Sequence, residues 1–320
     1  MAIREIEHVT SGERTSDGDG VKMTRIIGSR ELNMLDPFLL LDAFESDQPQ
    51  DYIGGFPSHP HRGFETVTYL LAGRMRHKDN AGNEGVIEPG GVQWMTAGKG
   101  IVHSEMPEQE NGLLMGFQLW VNLPASAKMT EPAYQEFSPA HTPLERRDDG
   151  SEVRVIAGRT DGGTRGAVSN EYVEPTYLDV KLQGGSEFVQ STETDSTAFL
   201  FVIEGSLSVG AKQTVLGRRT LGILGEGERV SVTAPAQGAR FLLVSARPLK
   251  EPVARGGPFV MNTRDESLQA FDDYQNGRFC KYTGDSRWDY WLRENGSTAG
   301  TTPRATRATS CAARRNSATG

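Results

Sequence analysis

Short β-type runs, each closed off by glycine, proline or asparagine, restrict this chain to a fold of closed antiparallel sheet. Glu65-Thr-Val-Thr-Tyr-Leu-Leu71, Gly91-Val-Gln-Trp-Met-Thr96 and Leu114-Met-Gly-Phe-Gln-Leu-Trp-Val-Asn-Leu123 are rich in β-branched, aromatic and aliphatic residues. Turn signals such as Asn80-Ala-Gly-Asn83 and Glu88-Pro-Gly-Gly91 separate them. The second half repeats the plan: Thr197-Ala-Phe-Leu-Phe-Val-Ile-Glu-Gly205 echoes Thr66-Val-Thr-Tyr-Leu-Leu-Ala-Gly73. Leu221 to Thr233 likewise echoes Glu84 to Thr96. The chain is therefore predicted to be all-β, with two antiparallel jelly-roll barrels packed together. The expected division is a first barrel over 1–137, a linker over 138–150 and a second barrel over 151–262.

Histidine placement gives these barrels a chemistry. Of six histidines, His59 and His61 form an HxH pair in Phe56-Pro-Ser-His-Pro-His-Arg-Gly, and His103 forms an HxE pair with Glu105. On a strand, residues i and i+2 leave the same face. Two such pairs on neighbouring strands would aim three imidazoles and one carboxylate at one point, a first shell for a divalent transition metal. The second half has no histidine and offers only Glu187-Phe-Val-Gln190 and Ser191-Thr-Glu193 there, so its barrel is expected to be structural. His8 is isolated, His77 reads as a hairpin end, exposed or hydrogen-bonded, and His141 as an ordinary loop residue.

The formal charge of −8 argues against direct nucleic-acid binding and gives no reason to expect an anionic membrane partner. Two cysteines, Cys280 and Cys311, make neither a disulfide framework nor a zinc site, and they fit a reducing cytoplasm. The N-terminus lacks an apolar leader, and no run has the length of a membrane span. Nothing in the pattern demands an oligomer, so a monomer is expected. Near the end, 263–280 reads as a helix, with Thr263 and Glu266 as a capping box and Asn276-Gly277 as its stop. Residues 281–320 are rich in Ser, Thr and Ala, and disorder is expected there.

These motifs, with Trp94-Met-Thr-Ala-Gly-Lys-Gly-Ile-Val-His-Ser-Glu105, Gln118-Leu-Trp-Val-Asn-Leu-Pro124, Gly257-Pro-Phe-Val-Met-Asn-Thr263 and Ala270-Phe-Asp-Asp-Tyr-Gln-Asn-Gly277, resemble the pirin family of bicupin proteins over roughly residues 2 to 280. After about Tyr282 the likeness ends. The resemblance implies one mononuclear metal in the N-terminal cupin, Fe(II) first, with copper, manganese, nickel, cobalt and zinc left open. Its ligands would be His59, His61, His103 and Glu105. The general cupin pattern would instead take a carboxylate at Glu65, which is read here as lying behind the ligands or as structural. Such a shell leaves a six-coordinate metal two open positions. That suits a quercetin 2,3-dioxygenase-like enzyme acting on a flavonol or related enol with O2 and releasing carbon monoxide, with Glu105 taking the hydroxyl proton. A non-enzymatic alternative, also implied by the family, is an iron-dependent redox sensor that binds a transcription regulator or metabolic enzyme. Gln118, Trp120 and Asn122 share one face of their strand, and Phe117, Leu119 and Val121 share the other; Gln118 is the candidate for a polar contact near the metal.

Overall fold

The computed structural model describes residues 2–279 and is a bicupin. In the first barrel a seven-stranded sheet runs in the order Ala133–Phe137, Val92–Thr96, Phe64–Ala72, Leu114–Asn122, Phe38–Ser46, Val21–Ile27, Glu13–Asp17. A four-stranded sheet faces it: Phe56–His61, Ile101–Pro107, Met75–Asp79, Glu84–Ile87. The second barrel repeats this with Glu187–Ser191, Arg229–Thr233, Ser206–Val209 and Thr214–Gly217 as its four-stranded sheet. All named pairings are antiparallel, as hairpin-connected strands with polar turns require.

The two large sheets pack face to face, and one apolar core spans the seam. Phe38 meets Phe199 edge-on with ring centroids 5.2 Å apart, and Phe117 meets Phe201 at 5.4 Å. A polar tie crosses the same seam: Tyr69 donates to Asp179 (2.5 Å), which also accepts from Arg240 (3.0 and 2.6 Å). The inside of the second barrel is filled by apolar side chains, among them Phe188, Leu200, Val232 and Phe241.

The chain ends do not respect the division read from the sequence. Ile6–Thr10, assigned above to the first barrel, pairs with Leu221–Leu224 at the edge of the second. Leu144–Arg146, inside the expected linker, already pairs with Glu152–Ala157. In the opposite direction, Ala254–Gly256 and Phe259–Met261 leave the second barrel and lie against the first. Val260 clusters with Leu39 and Phe64, and its carbonyl accepts from the buried Lys128 ammonium (2.9 Å), which also donates to Gly63 and Asn122. Gly63 has φ +88°, and a Cβ there would stand 2.0 Å from the Val260 carbonyl oxygen, so glycine alone permits the approach. The barrels thus exchange their terminal segments.

The helix Arg264–Gln275 carries both halves of the Thr263–Glu266 capping box, and Gly277 follows it at φ +68°. It packs on the first barrel, where Arg62 donates to Asp273 (2.8 Å) and lies over Phe279. No helix among the described residues is long and apolar enough to cross a membrane. Cys280, Cys311 and the expectation for 281–320 fall outside the described residues. Because the core is shared, the barrels should unfold together. Phe199→Ala is expected to cost about 3–5 kcal/mol and to leave a single urea transition; a second transition with the first barrel unaffected would show independent units.

Candidate metal centre

The histidines inside the first barrel lie on its four-stranded sheet. Antiparallel register sets His103 opposite His59 and Ile101 opposite His61. On its other side the same strand pairs with Met75–Asp79, with His103 opposite Asp79 and Glu105 opposite His77. The pleat then turns His59, His61 and His103 to one point. Their donor nitrogens lie within 4.8 Å of one another, and their ring centroids are 4.4 to 4.9 Å apart. His61 and His103 are buried, and His59 is half-buried.

Electrostatics favour the ligand form of these rings. Burial pushes the His59 imidazole below the ordinary histidine range, and His61 and His103 well below it. Neutral imidazoles are what a metal needs. The His59 Nδ1–H donates to the Pro57 carbonyl (2.8 Å), which leaves Nε2 with its lone pair. His61 Nδ1 and His103 Nε2 are buried without a hydrogen-bond partner. Buried polar atoms are rarely left so, and a cation between the rings would satisfy them. The residues fit a divalent metal.

Glu105 does not join that cluster of mutually close donors. It is buried beside it, where its Oε1 lies 2.5 Å from the Thr68 hydroxyl and its Oε2 3.4 Å from the Gln118 amide nitrogen. Gln118 therefore faces the barrel interior, with Thr68 directly opposite it in register, and its contact is to Thr68 and Glu105. Trp120, on the same face, stands edge-on to His61 at 5.1 Å. The other face, Phe117, Leu119 and Val121, belongs to the seam.

Glu65 sits on that seam side, away from the histidines. Its oxygens accept from Thr96 (2.7 Å) and from Asn170 of the second half (2.5 Å). Of the two roles considered for it, the structural one matches this place. Burial raises its pKa to about 7 against those hydrogen bonds. Of the two states the sequence allowed His77, exposed or hydrogen-bonded, the structure has the second. His77 is fully buried at the back of His103, with Nδ1 3.4 Å from His103 Nδ1 and Nε2 3.5 Å from Asp79 Oδ2. The signal was present: His77 and Asp79 form a third same-face i, i+2 pair. His8 lies at the surface near Glu31, and His141 bonds Ser138. A cleft of about 530 Å³ opens elsewhere, at the seam between Arg14, Glu45, Phe117, Phe201 and Arg219, and none of the three clustered histidines lines it.

Stability should follow pH through these groups. The buried imidazoles, depressed in the folded metal-free chain, contribute stability that is present above the ordinary value of 6.5 and lost as pH falls below it. Glu65, raised from 4.5 to about 7, contributes stability that is present below 4.5 and lost as pH rises through 7. Glu65→Gln should remove that alkaline loss, roughly 3 kcal/mol at most, in urea titrations between pH 4 and 8. An unchanged alkaline limb would refute the assignment.

Two family models match the chain: Pirin over residues 20–121 and the Pirin C-terminal cupin domain over residues 177–280. A pirin-like protein of Caulobacter vibrioides is 54% identical over 279 residues, covering 87% of this chain and 100% of its own. Pirin of Homo sapiens is 45% identical over 270 residues, covering 82% and 89%. A crystal structure of quercetin 2,3-dioxygenase from Acinetobacter baumannii superposes with a TM-score of 0.79 at 35% identity, covering 87% of this chain and 99% of that one. With its two barrels, its single histidine cluster in the first of them and relatives matched along nearly their whole length, this chain belongs to the pirin family.

Proposed function

We propose that the chain is a metal-dependent dioxygenase that opens the ring of quercetin or a related flavonol or enol with O2, releasing carbon monoxide. One observation carries this reading: three imidazoles, two of them buried with an unpartnered nitrogen, stand beside the Glu105 carboxylate. The likeness to a solved quercetin 2,3-dioxygenase supports the substrate class.

His59, His61 and His103 would hold the ion, Fe(II) first among the candidates, with Glu105 as fourth donor or as base beside it. A divalent metal bound there supplies Lewis acidity toward an enol hydroxyl and the redox reach for O2. Glu105 would accept the hydroxyl proton at Oε1. The Thr68 hydroxyl lies 2.5 Å from that atom and 2.7 Å from Gln118 Oε1, with one proton for two acceptors. The set closes when Glu105 is protonated: Glu105 Oε1–H donates to Thr68, and Thr68 donates to Gln118. Phe64 and Trp120, with ring centroids 4.4 Å apart, form an apolar wall that keeps bulk water from His61, and the Arg255 guanidinium lies over Trp120.

A second reading has its own observation. His61 and His103 are fully buried and only His59 is half-open, so a flavonol must enter past His59. That suits a non-enzymatic partner of a transcription regulator or metabolic enzyme, whose surface follows the charge of the metal. The measurement is metal content after anaerobic purification, followed by oxygen uptake and carbon monoxide release with quercetin. The enzyme reading expects about one ion per chain and turnover that His61→Ala abolishes with its metal. Glu105→Gln should keep most of the protein folded and lower turnover about 10²–10⁴-fold. Full metal with no turnover on flavonols or other enols would overturn the enzyme and leave the binding protein.

A further inference from the structure

The strand Met75–Asp79 supplies no donor to the histidine cluster, yet it places two charged or titratable side chains directly behind one. His77 is fully buried, stacked against Tyr134 with ring centroids 4.9 Å apart, and faces His103 nitrogen to nitrogen. Across the ring its Nε2 points to Asp79 Oδ2. Asp79 is itself fixed: Oδ1 accepts from the backbone N–H groups of Ala81 and Asn83 (2.9 Å each), and Oδ2 accepts from the Asn83 amide (2.8 Å). A carboxylate surrounded by donors accepts only.

We infer that Asp79 and His77 are positioning residues which dictate the tautomer of His103, so that its Nε2 carries the free lone pair toward the metal. This rests on the metal centre proposed above. Two imidazoles meeting Nδ1 to Nδ1 at 3.4 Å leave room for one proton between them. The Asp79 carboxylate requires the His77 proton to be on Nε2. His77 Nδ1 is then a bare acceptor, and the proton between the rings belongs to His103 Nδ1. His103 Nε2, buried and without a partner, is left unprotonated. The negative charge of Asp79 thus sets a proton position two rings away and makes His103 a stronger donor. The opposite tautomer of His77 would turn an N–H against His103 and a lone pair against the carboxylate.

The test is the affinity of the full-length, chelator-stripped protein for Co(II), measured by competition with a chromophoric chelator. It is read together with apo-protein unfolding and with the exchangeable, hyperfine-shifted imidazole N–H signals of the loaded form. Asp79→Asn presents an amide N–H to His77 and reverses the chain of protons. His77→Phe keeps the ring and removes the acceptor. Each is expected to weaken Co(II) binding about 10–100-fold and to move the His103 N–H signal, with unfolding of the apo form changed little by His77→Phe. His77→Gln, whose amide oxygen can accept from His103, should recover much of the loss. Asp79 also holds the 79–83 turn, so if Asp79→Asn unfolds, the Phe and Gln variants decide. Wild-type binding with both His77 variants within about twofold of it and an unmoved signal would overturn the positioning role alone. A wild-type chain that binds no Co(II) would overturn the metal centre and this role with it.

Discussion

Antiparallel register between Phe56–His61 and Ile101–Pro107 brings the three histidines together, because it sets His103 opposite His59 while the pleat returns His61 to the same side. A slip of one residue would send His103 and Glu105 to the outside of the barrel and Ser104, with Val102 or Met106, to the inside. The register is held at both margins. Ile101–Pro107 is paired on its other edge to Met75–Asp79, and Gly63, Arg62 and Lys128 bind the end of the HxH strand to the C-terminal segment. The site is thus fixed by sheet hydrogen bonds and not by loops, which is where a metal centre gains its accuracy.

The two barrels show what that centre costs. They share one plan, but where the second is filled with Phe188, Leu200, Phe241 and their neighbours, the first places His61, His77, His103, Glu105, Thr68 and Gln118 in its interior. Buried polar groups oppose folding unless each finds a partner. In the first barrel the Asp79–His77–His103 and Glu105–Thr68–Gln118 contacts supply partners, and the unpartnered nitrogens of His61 and His103 lie in the histidine cluster. The apolar second barrel and the seam core supply the stabilisation that offsets this interior.

Much of the centre was legible because a period of two is easy to read when polar residues stand out against apolar ones. The HxH and HxE pairs are of that kind, and the capping box at Thr263 likewise marks its helix. Other features were hidden for physical reasons. In Phe64–Ala72 residues on both faces are buried, so alternation cannot say that Glu65 looks to the seam while Thr68 looks to Glu105. His77 and Asp79 have the same spacing as the HxH and HxE pairs, but Arg74, Arg76 and Lys78 around them read as a solvated hairpin. Their charges do project outward; the pleat hides the two between. The partner of Ile6–Thr10 lies more than 200 residues away, and a local pattern cannot reveal so remote a pairing.

That exchange of ends has a consequence for how the protein is made. The first barrel carries the histidines within its first third of chain, but the strand that backs Phe64 and receives Lys128 is Phe259–Met261, and the helix that takes Arg62 follows it. On the ribosome the HxH strand emerges early and waits until the second barrel has been made before its flank is covered. Until then a nascent chain holds several imidazoles in an unfinished sheet. The finished centre, and any selectivity among the cell's metals that depends on its shape, waits on the synthesis of Phe259–Met261 and the helix after it.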